Sequence, residues 1–270
     1  MIMQKITTVF LGISLLFLVS CKNSDRDEDT TTTTSRDYAM VQSMAMDIFK
    51  IVHQSALSTK GITANNLATS ISIFGCDTLI SDTTTLPMQL TIAFDSCLTN
   101  GILRMGEIKT SFSSKYDIPG ANIIISFLNY SHNNMLFSGS LNLTNNGIVN
   151  GKPTFSFSAN GLKVEEGKKN RNVFWNASQT ITQTIGETTA DFTDDNFKIV
   201  GVSNGRAFTG NAFTTNTDSL FYAGNCNWIE SGIATVSPEN LAIRTLDFGS
   251  ICDNKAWVTF FGNKTEILFP

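Results

Sequence analysis

Two hundred and seventy residues, 41% apolar and only 16% charged, are enough chain for one large domain with a real hydrophobic core, which excludes a disordered polymer or a small disulfide knot. The formal charge of -4 offers no basic surface for a phosphate backbone, so nucleic acid is not an expected partner.

Lys5 precedes an apolar run, Ile6 to Val19, that is too short to span a bilayer comfortably as a helix, and residues 1–20 read as a secretory signal peptide. The run ends in Leu18-Val19-Ser20-Cys21, which resembles the lipobox of bacterial lipoproteins. The resemblance implies that the Cys21 thiol carries diacylglycerol, that the signal is removed before it, and that Cys21 becomes the first residue of the mature chain. The expected partner is therefore a membrane, held through acyl chains whose buried methylenes each contribute about 0.8 kcal/mol. Lys22 to Arg36, KNSDRDEDTTTTTSR, has no apolar residue and cannot build a core, so 21–36 is expected to be an acidic, Thr-rich tether. Its cluster Asp25, Asp27, Glu28 and Asp29 resembles the export signal of surface-exposed Bacteroidetes lipoproteins, implying an outer-membrane anchor with the domain at the cell surface. The alternative is a solubilising tether on the periplasmic face.

Over Tyr38 to Ala56 the period changes. Val41, Met44, Ala45, Ile48, Val52 and Ser55 recur at three and four, with Asp37 as a candidate N-cap and Gly61 beyond the end, which predicts an amphipathic helix docking one face on a sheet. Met40, Met44 and Met46 suit adaptable core filling.

Beyond Asn66 the chain alternates with period two between Asn, Gly, Asp and Ser clusters. Strands are predicted at Ala68 to Phe74, Gln89 to Phe94, Ile102 to Phe112, Asn122 to Tyr130, Met135 to Leu143, Thr154 to Ala159 and Asn172 to Ile185. Others follow at Phe197 to Val202, Arg206 to Thr215, Leu220 to Ala223, Asn227 to Val236, Leu241 to Phe248, Ala256 to Phe261 and Thr265 to Phe269. Turns such as His132-Asn133-Asn134, Asn145-Asn146-Gly147 and Ser203-Asn204-Gly205 are too short for parallel crossovers. The fold class is thus all-β: over 37–270, an antiparallel meander curled into a sandwich or strongly bent sheet, with one helix at 38–56. Val173, Trp175, Ala177, Ile181 and Ile185 mark a core face, with Asn176, Ser178, Thr180 and Thr182 on the wet one. The parity of apolar positions switches between Phe157 and Leu162, placing a bulge at Asn160-Gly161.

Cys76, Cys97, Cys226 and Cys252 fall in two similar settings, around LTIAFDSC and RTLDFGSIC. A Cys opening one strand and a Cys closing its hairpin partner would lie side by side, so Cys76 with Cys97 and Cys226 with Cys252 are the expected disulfides of the three connectivities. There is no C-x-x-C, and His53 and His132 have no ligand-like spacing to the thiols, so neither a metal nor a cofactor is expected. Trp175 reads as core, and Trp228 and Trp257 fall beside the second Cys pair.

Gly201-Val202-Ser203-Asn204-Gly205 matches G-x-S-x-G, but no His follows residue 132, and the segment reads as a hairpin turn. Glu165-Glu166 and Asp194-Asp195 are adjacent carboxylates in turn-like settings, whereas a glycosidase needs two facing each other. Asp191, Asp194, Asp195 and Asn196 gather hard oxygens without EF-hand spacing. Asp77-Thr78-Leu79, Asp82-Thr83-Thr84, Asp218-Ser219-Leu220 and Asp29-Thr30-Thr31 resemble the short O-glycosylation signal of Bacteroidetes, which implies hydroxyls on exposed loops.

The segments LTIAFDSCLTNGILRMGEI and RTLDFGSICDNKAWVTF, with the lipobox and tether, resemble uncharacterised β-rich Bacteroidetes lipoproteins, a family without an assigned activity. The expected function is that of a non-enzymatic, lipid-anchored envelope protein, a structural, adhesive or ligand-binding domain whose ligand is an extracellular glycan or protein. The rivals are a surface hydrolase and a periplasm-facing lipoprotein for envelope assembly or apolar cargo. An enclosed apolar cavity would favour the cargo reading, and a cleft with two opposed carboxylates the hydrolase.

Overall fold

The computed structural model describes residues 31–58, 62–64, 74–167, 169, 171–189 and 191–270. The signal peptide, Cys21, residues 22–30 of the expected tether and residues 68–73 of the first expected strand lie outside the described residues.

The helix α1 runs Thr33–Ser58, without Gly or Pro to interrupt it. It starts five residues before the expected position, taking in the last residues of the expected tether, so Asp37 sits inside it and does not cap it. Its surroundings also differ from expectation: every residue except Thr33, Arg36 and Leu57 is buried, so the helix is enclosed on all sides. The polar residues that would have faced water instead meet partners on the sheet. Gln42 and Gln179 exchange amide hydrogen bonds of 3.2 and 2.6 Å, the Tyr38 and Thr217 hydroxyls lie 2.8 Å apart, and Arg104 pairs with Asp47.

Among the described residues thirteen strands follow: β1 Asp77–Asp82, β2 Met88–Thr99, β3 Ile102–Phe112, β4 Asn122–His132, β5 Met135–Val149, β6 Lys152–Glu166 and β7 Arg171–Ile185. Then come β8 Asn196–Arg206, β9 Ala212–Ala223, β10 Ser231–Pro238, β11 Arg244–Ser250, β12 Lys255–Phe260 and β13 Asn263–Leu268. Each pairs antiparallel with its predecessor, so spatial order is sequence order, with β1 and β13 at the two ends of one sheet. The predicted meander is therefore present throughout the described chain, although Asn145-Asn146-Gly147, expected as a turn, lies within β5, and the chain reverses at Asn150-Gly151.

The partners of α1 come from β3, β6, β7, β8 and β9, which requires the sheet to curl round it. Asn227, just after β9, donates its amide to the carbonyl of Asn100 in the β2–β3 turn at 3.0 Å, joining parts of the sheet seven strands apart. Register shifts interrupt most of the ladders, and such bulges add the local twist that lets a sheet coil. The expected bulge at Asn160-Gly161 is one of them, between Ala159 and Leu162. Gly106 occupies another at φ +81°, where an added Cβ would stand 2.2 Å from the carbonyl oxygen of Asn129.

Val173, Trp175, Ala177 and Ile181 point inward on β7 as predicted, while Ile185 is exposed and Gln179 and Gln183 take inward places. The Ser203-Asn204-Gly205 segment is not a turn. It lies within β8, and the chain reverses at 207–211, closed by the Ala207 N–H to Asn211 carbonyl bond of 2.9 Å. The physical reason is internal satisfaction: the buried Ser203 hydroxyl meets that of Thr215 at 2.6 Å, removing the need for water that would favour a loop.

Candidate functional site

Among the described residues two clusters with ionisable groups lie in the interior. The first centres on Asp47, halfway along α1, whose carboxylate receives Arg104 Nε at 3.2 Å and Arg104 Nη2 at 2.9 and 2.8 Å. Lys50 Nζ lies 3.6 Å from Oδ1 and His132 Nε2 3.6 Å from Oδ2; Lys50 also donates to the carbonyl of Cys226 at 2.7 Å. Arg104 and His132 are cross-strand neighbours on β3 and β4, which is how one sheet face delivers both to one helix residue. Burial opposes ionisation of Asp47, but Arg104, Lys50 and His132 outweigh it and hold its pKa at about 2. Burial also pushes His132 down to about 4, and lowers Lys50 against the attraction of Asp47. All four are at most 4% exposed, so this network fixes the helix in the sheet and meets no solute.

The second group lies near the helix end. His53 Nδ1 is 2.6 Å from the Tyr116 hydroxyl, its Nε2 is 3.9 Å from Asp195 Oδ2, and Gln183 donates to Asp195 Oδ1 at 2.8 Å. Burial lowers His53 to about 4 and raises Asp195 to about 6, the latter with help from Asp194, Asp191 and Glu187. The chain Tyr116–His53–Asp195 has the order of an acid–base relay. Yet Phe49, Phe155 and Phe197 close round the imidazole at centroid distances of 5.5, 5.6 and 5.5 Å, and none of the three groups is more than 4% exposed.

The carboxylate pairs marked in the sequence do not converge. Asp195 turns inward to Gln183 while Asp194 accepts from the Thr189 hydroxyl at 2.8 Å outside. Glu166 pairs with Lys169 at 2.6 Å and Arg171 at 3.5 Å, and Glu165 with Lys163. Among the described residues no group of three His, Cys, Asp or Glu side chains is placed to hold a metal ion.

What does open to solvent is a pocket of about 370 Å³ beside the start of α1. The helix supplies Arg36, Asp37 and Met40, β5 supplies Met135, the β6–β7 corner supplies Glu166, Lys169 and Arg171, the β8–β9 turn supplies Phe208, and the last strand brings Leu268 and Phe269. Asp37 is 1% exposed. Its Oδ2 accepts the Phe208 N–H at 2.8 Å, whereas Oδ1 has no hydrogen-bond donor, with Arg36 Nη2 at 3.7 Å. Burial raises its pKa to about 6 against the pull of that N–H and of Arg36 and Arg171. The Arg171 guanidinium lies 4.6 Å over the Phe208 ring. Apolar walls, one buried carboxylate and a rim of cations make a compartment suited to a small molecule with both apolar and charged parts. A second hollow, of about 310 Å³, lies outside β5–β8, lined by Asn142, Thr144, Ser158, Ser178 and Thr180.

Sequence reasoning missed this pocket. Of its residues the sequence marks Asp37 as a cap, Met40 as core filling and Glu166 as one of an adjacent carboxylate pair, and nothing in it joins the three. The cysteines lie in two disulfide-distance pairs, Cys76 with Cys97 and Cys226 with Cys252, at Cα separations of 5.4 and 5.7 Å. Each closes the end of a neighbouring strand pair, β1–β2 and β10–β11. The Trp228 N–H reaches Cys226 Sγ at 3.5 Å, so this Trp packs by its disulfide, whereas Trp257 faces outward with Lys264 Nζ 5.1 Å over its ring. Thr78 and Thr83 are exposed, but Thr78 and the half-buried Ser219 sit on strands, where loops had been expected.

No protein-family model matches the chain, and no curated protein or solved structure is found to match it.

Proposed function

We propose that the chain is a lipid-anchored protein of the cell envelope, attached through Cys21 and displayed outward, whose domain binds a ligand without transforming it. The lipobox-like Leu18-Val19-Ser20-Cys21 and the acidic tether support the anchor and address. The observation that carries the binding reading is the pocket at the start of α1, where a carboxylate 1% exposed keeps one oxygen without a donor. The helix argues against apolar cargo inside the sheet, because its side chains occupy the space such cargo would need. The separated carboxylates give the hydrolase reading no support.

Two measurements test this. Labelling cells with a palmitate analogue should tag the chain and fail with Cys21→Ser; tagging that survives the substitution overturns the anchor. Treating intact cells with a nonspecific protease should cleave the chain while a periplasmic control survives. Protection on whole cells together with cleavage after lysis would refute outward display.

A further inference from the structure

Eight non-glycine residues among those described have positive φ: six are Asn, one is Ser96, and one is Phe261, at +47°. Asn tolerates this left-handed backbone because its short amide can hydrogen-bond locally, whereas a bulky ring gains nothing there. Phe261 opens the two-residue turn Phe261-Gly262 between β12 and β13. The turns Asn100-Gly101, Asn133-Asn134 and Asn150-Gly151 have the same pair of positive φ values and all begin with Asn, the ordinary choice for a hairpin of this kind. Nor does Phe261 add to the core: it is 64% exposed, and among the described residues its ring packs on that of its neighbour Phe260, 6.0 Å away. An aromatic side chain kept both in unfavourable backbone and in water points to a use outside the domain.

Its place in the fold identifies that use. The Arg244 guanidinium lies 4.9 Å over the Phe260 ring and holds the Thr31 carbonyl at 3.3 and 2.9 Å. Ile243, next to Arg244 in the chain, is 66% exposed. Two exposed apolar side chains thus flank the corner that holds Thr31, ten residue steps and at most about 35 Å of chain from Cys21. We propose that this corner docks on the lipid surface, with Phe261 and Ile243 entering the boundary between headgroups and acyl chains. The inference rests on the anchor at Cys21, to which it adds a second membrane contact that orients the domain. Trp257 and Lys264, with Nζ 5.1 Å over the indole, follow on the same hairpin and are residue types that sit at headgroup level. Lys264 is paired with Asp247 at 3.6 Å, and Glu239 is exposed in the β10–β11 connection, so the contact is apolar and not ionic.

The test uses the purified full-length chain reconstituted through its anchor into vesicles of phosphatidylethanolamine and phosphatidylglycerol, with and without bromine on the acyl chains. Flotation reports the anchor, and tryptophan fluorescence reports the corner. The added emission of Phe261→Trp, taken as the difference from the native chain, should lie at short wavelength and be quenched by the brominated lipid, at high salt as at low. Ile251→Trp, at a site 68% exposed beyond the other end of β11, is the control and should stay unquenched. Circular dichroism confirms the fold of both. A chain that floats while the Trp at 261 is unquenched, or is quenched no more than the one at 251, overturns the docking and leaves the anchor standing. Failure to float overturns the anchor and the docking with it. A blue shift that grows with protein concentration and ignores bromine overturns the docking in favour of a second copy of the chain. Phe261→Asn, which suits the turn, should raise the urea midpoint; a lowered midpoint would mean that the ring serves the fold, and overturns the proposal as well.

Discussion

Replacing Asp47 by Asn removes one negative charge and almost no volume. In the native chain that carboxylate takes three contacts from Arg104 at 3.2, 2.9 and 2.8 Å, with Lys50 and His132 each at 3.6 Å. Asn can still accept a hydrogen bond, but it leaves the Arg104 guanidinium, 1% exposed, without a counter-charge. An uncompensated buried cation of this kind costs about 3–5 kcal/mol, a large share of the roughly 5–15 kcal/mol that a domain has in total. Urea unfolding followed by tryptophan fluorescence, with Trp175 fully buried as the reporter, should show the midpoint falling at unchanged slope. The triple substitution Asp47→Leu with Lys50→Met and Arg104→Met should recover most of the loss, since it removes all three charges and keeps the volume. A loss below about 1 kcal/mol for Asp47→Asn would refute the view that this pair holds the helix in the sheet.

His53 should give the domain an acid-sensitive component. Its folded pKa of about 4 lies below its ordinary 6.5, so the stability it contributes is complete above pH 6.5 and lost as pH falls toward 4. His53→Gln should flatten that part of the stability-against-pH curve. Opening Cys226–Cys252 by a double Cys→Ala change frees a loop with a sequence separation of 26 and should cost about 3 kcal/mol in thermal or urea unfolding; a loss under about 1 would argue against the chain-entropy account. Gly106→Ala should destabilise by more than Gly120→Ala. Both have positive φ, but only at Gly106 would the new Cβ meet backbone, at 2.2 Å, while at Gly120 nothing lies within 4 Å. Equal losses would show that φ alone decides.

Period-two alternation exposed the sheet because each strand buries one face, and the short turns exposed the meander because consecutive strands have nowhere else to pair. The cysteine pairing was legible for the same reason: both pairs close sequence-adjacent hairpins, 21 and 26 residues apart. The enclosure of α1 was not. Asp47, Lys50, His53 and Gln42 look like the wet side of a docking helix until their partners are known, and those of Asp47 and Gln42 lie 57 and 137 residues away. No local pattern encodes such pairs. The G-x-S-x-G segment misled in the opposite direction, since Asn-Gly favours a turn while the remote hydroxyl of Thr215 keeps Ser203 in a strand. The pocket was invisible because its walls come from the helix, four strand ends and two turns. Asp37 as a cap and Glu166 as one of a carboxylate pair stood in separate motifs with nothing local to join them.

The enclosure of α1 determines where mechanical load would travel under the proposed anchorage. Twelve residue steps separate Cys21 from Thr33 and can reach at most about 40 Å, so drag on the domain from flow or a captured ligand would soon draw that connection taut. The force would not enter at an outer strand, where ladders could unzip one bond at a time. It would first meet the Thr31 carbonyl, held by Arg244 Nε and Nη2 at 3.3 and 2.9 Å, and then pull lengthwise on a helix surrounded by strands. Withdrawing that helix requires the Gln42–Gln179, Asp47–Arg104 and Lys50–Cys226 contacts to shear together. A domain hung in this way grips its own cord by its centre, and tension is shared across the sheet before any strand can peel.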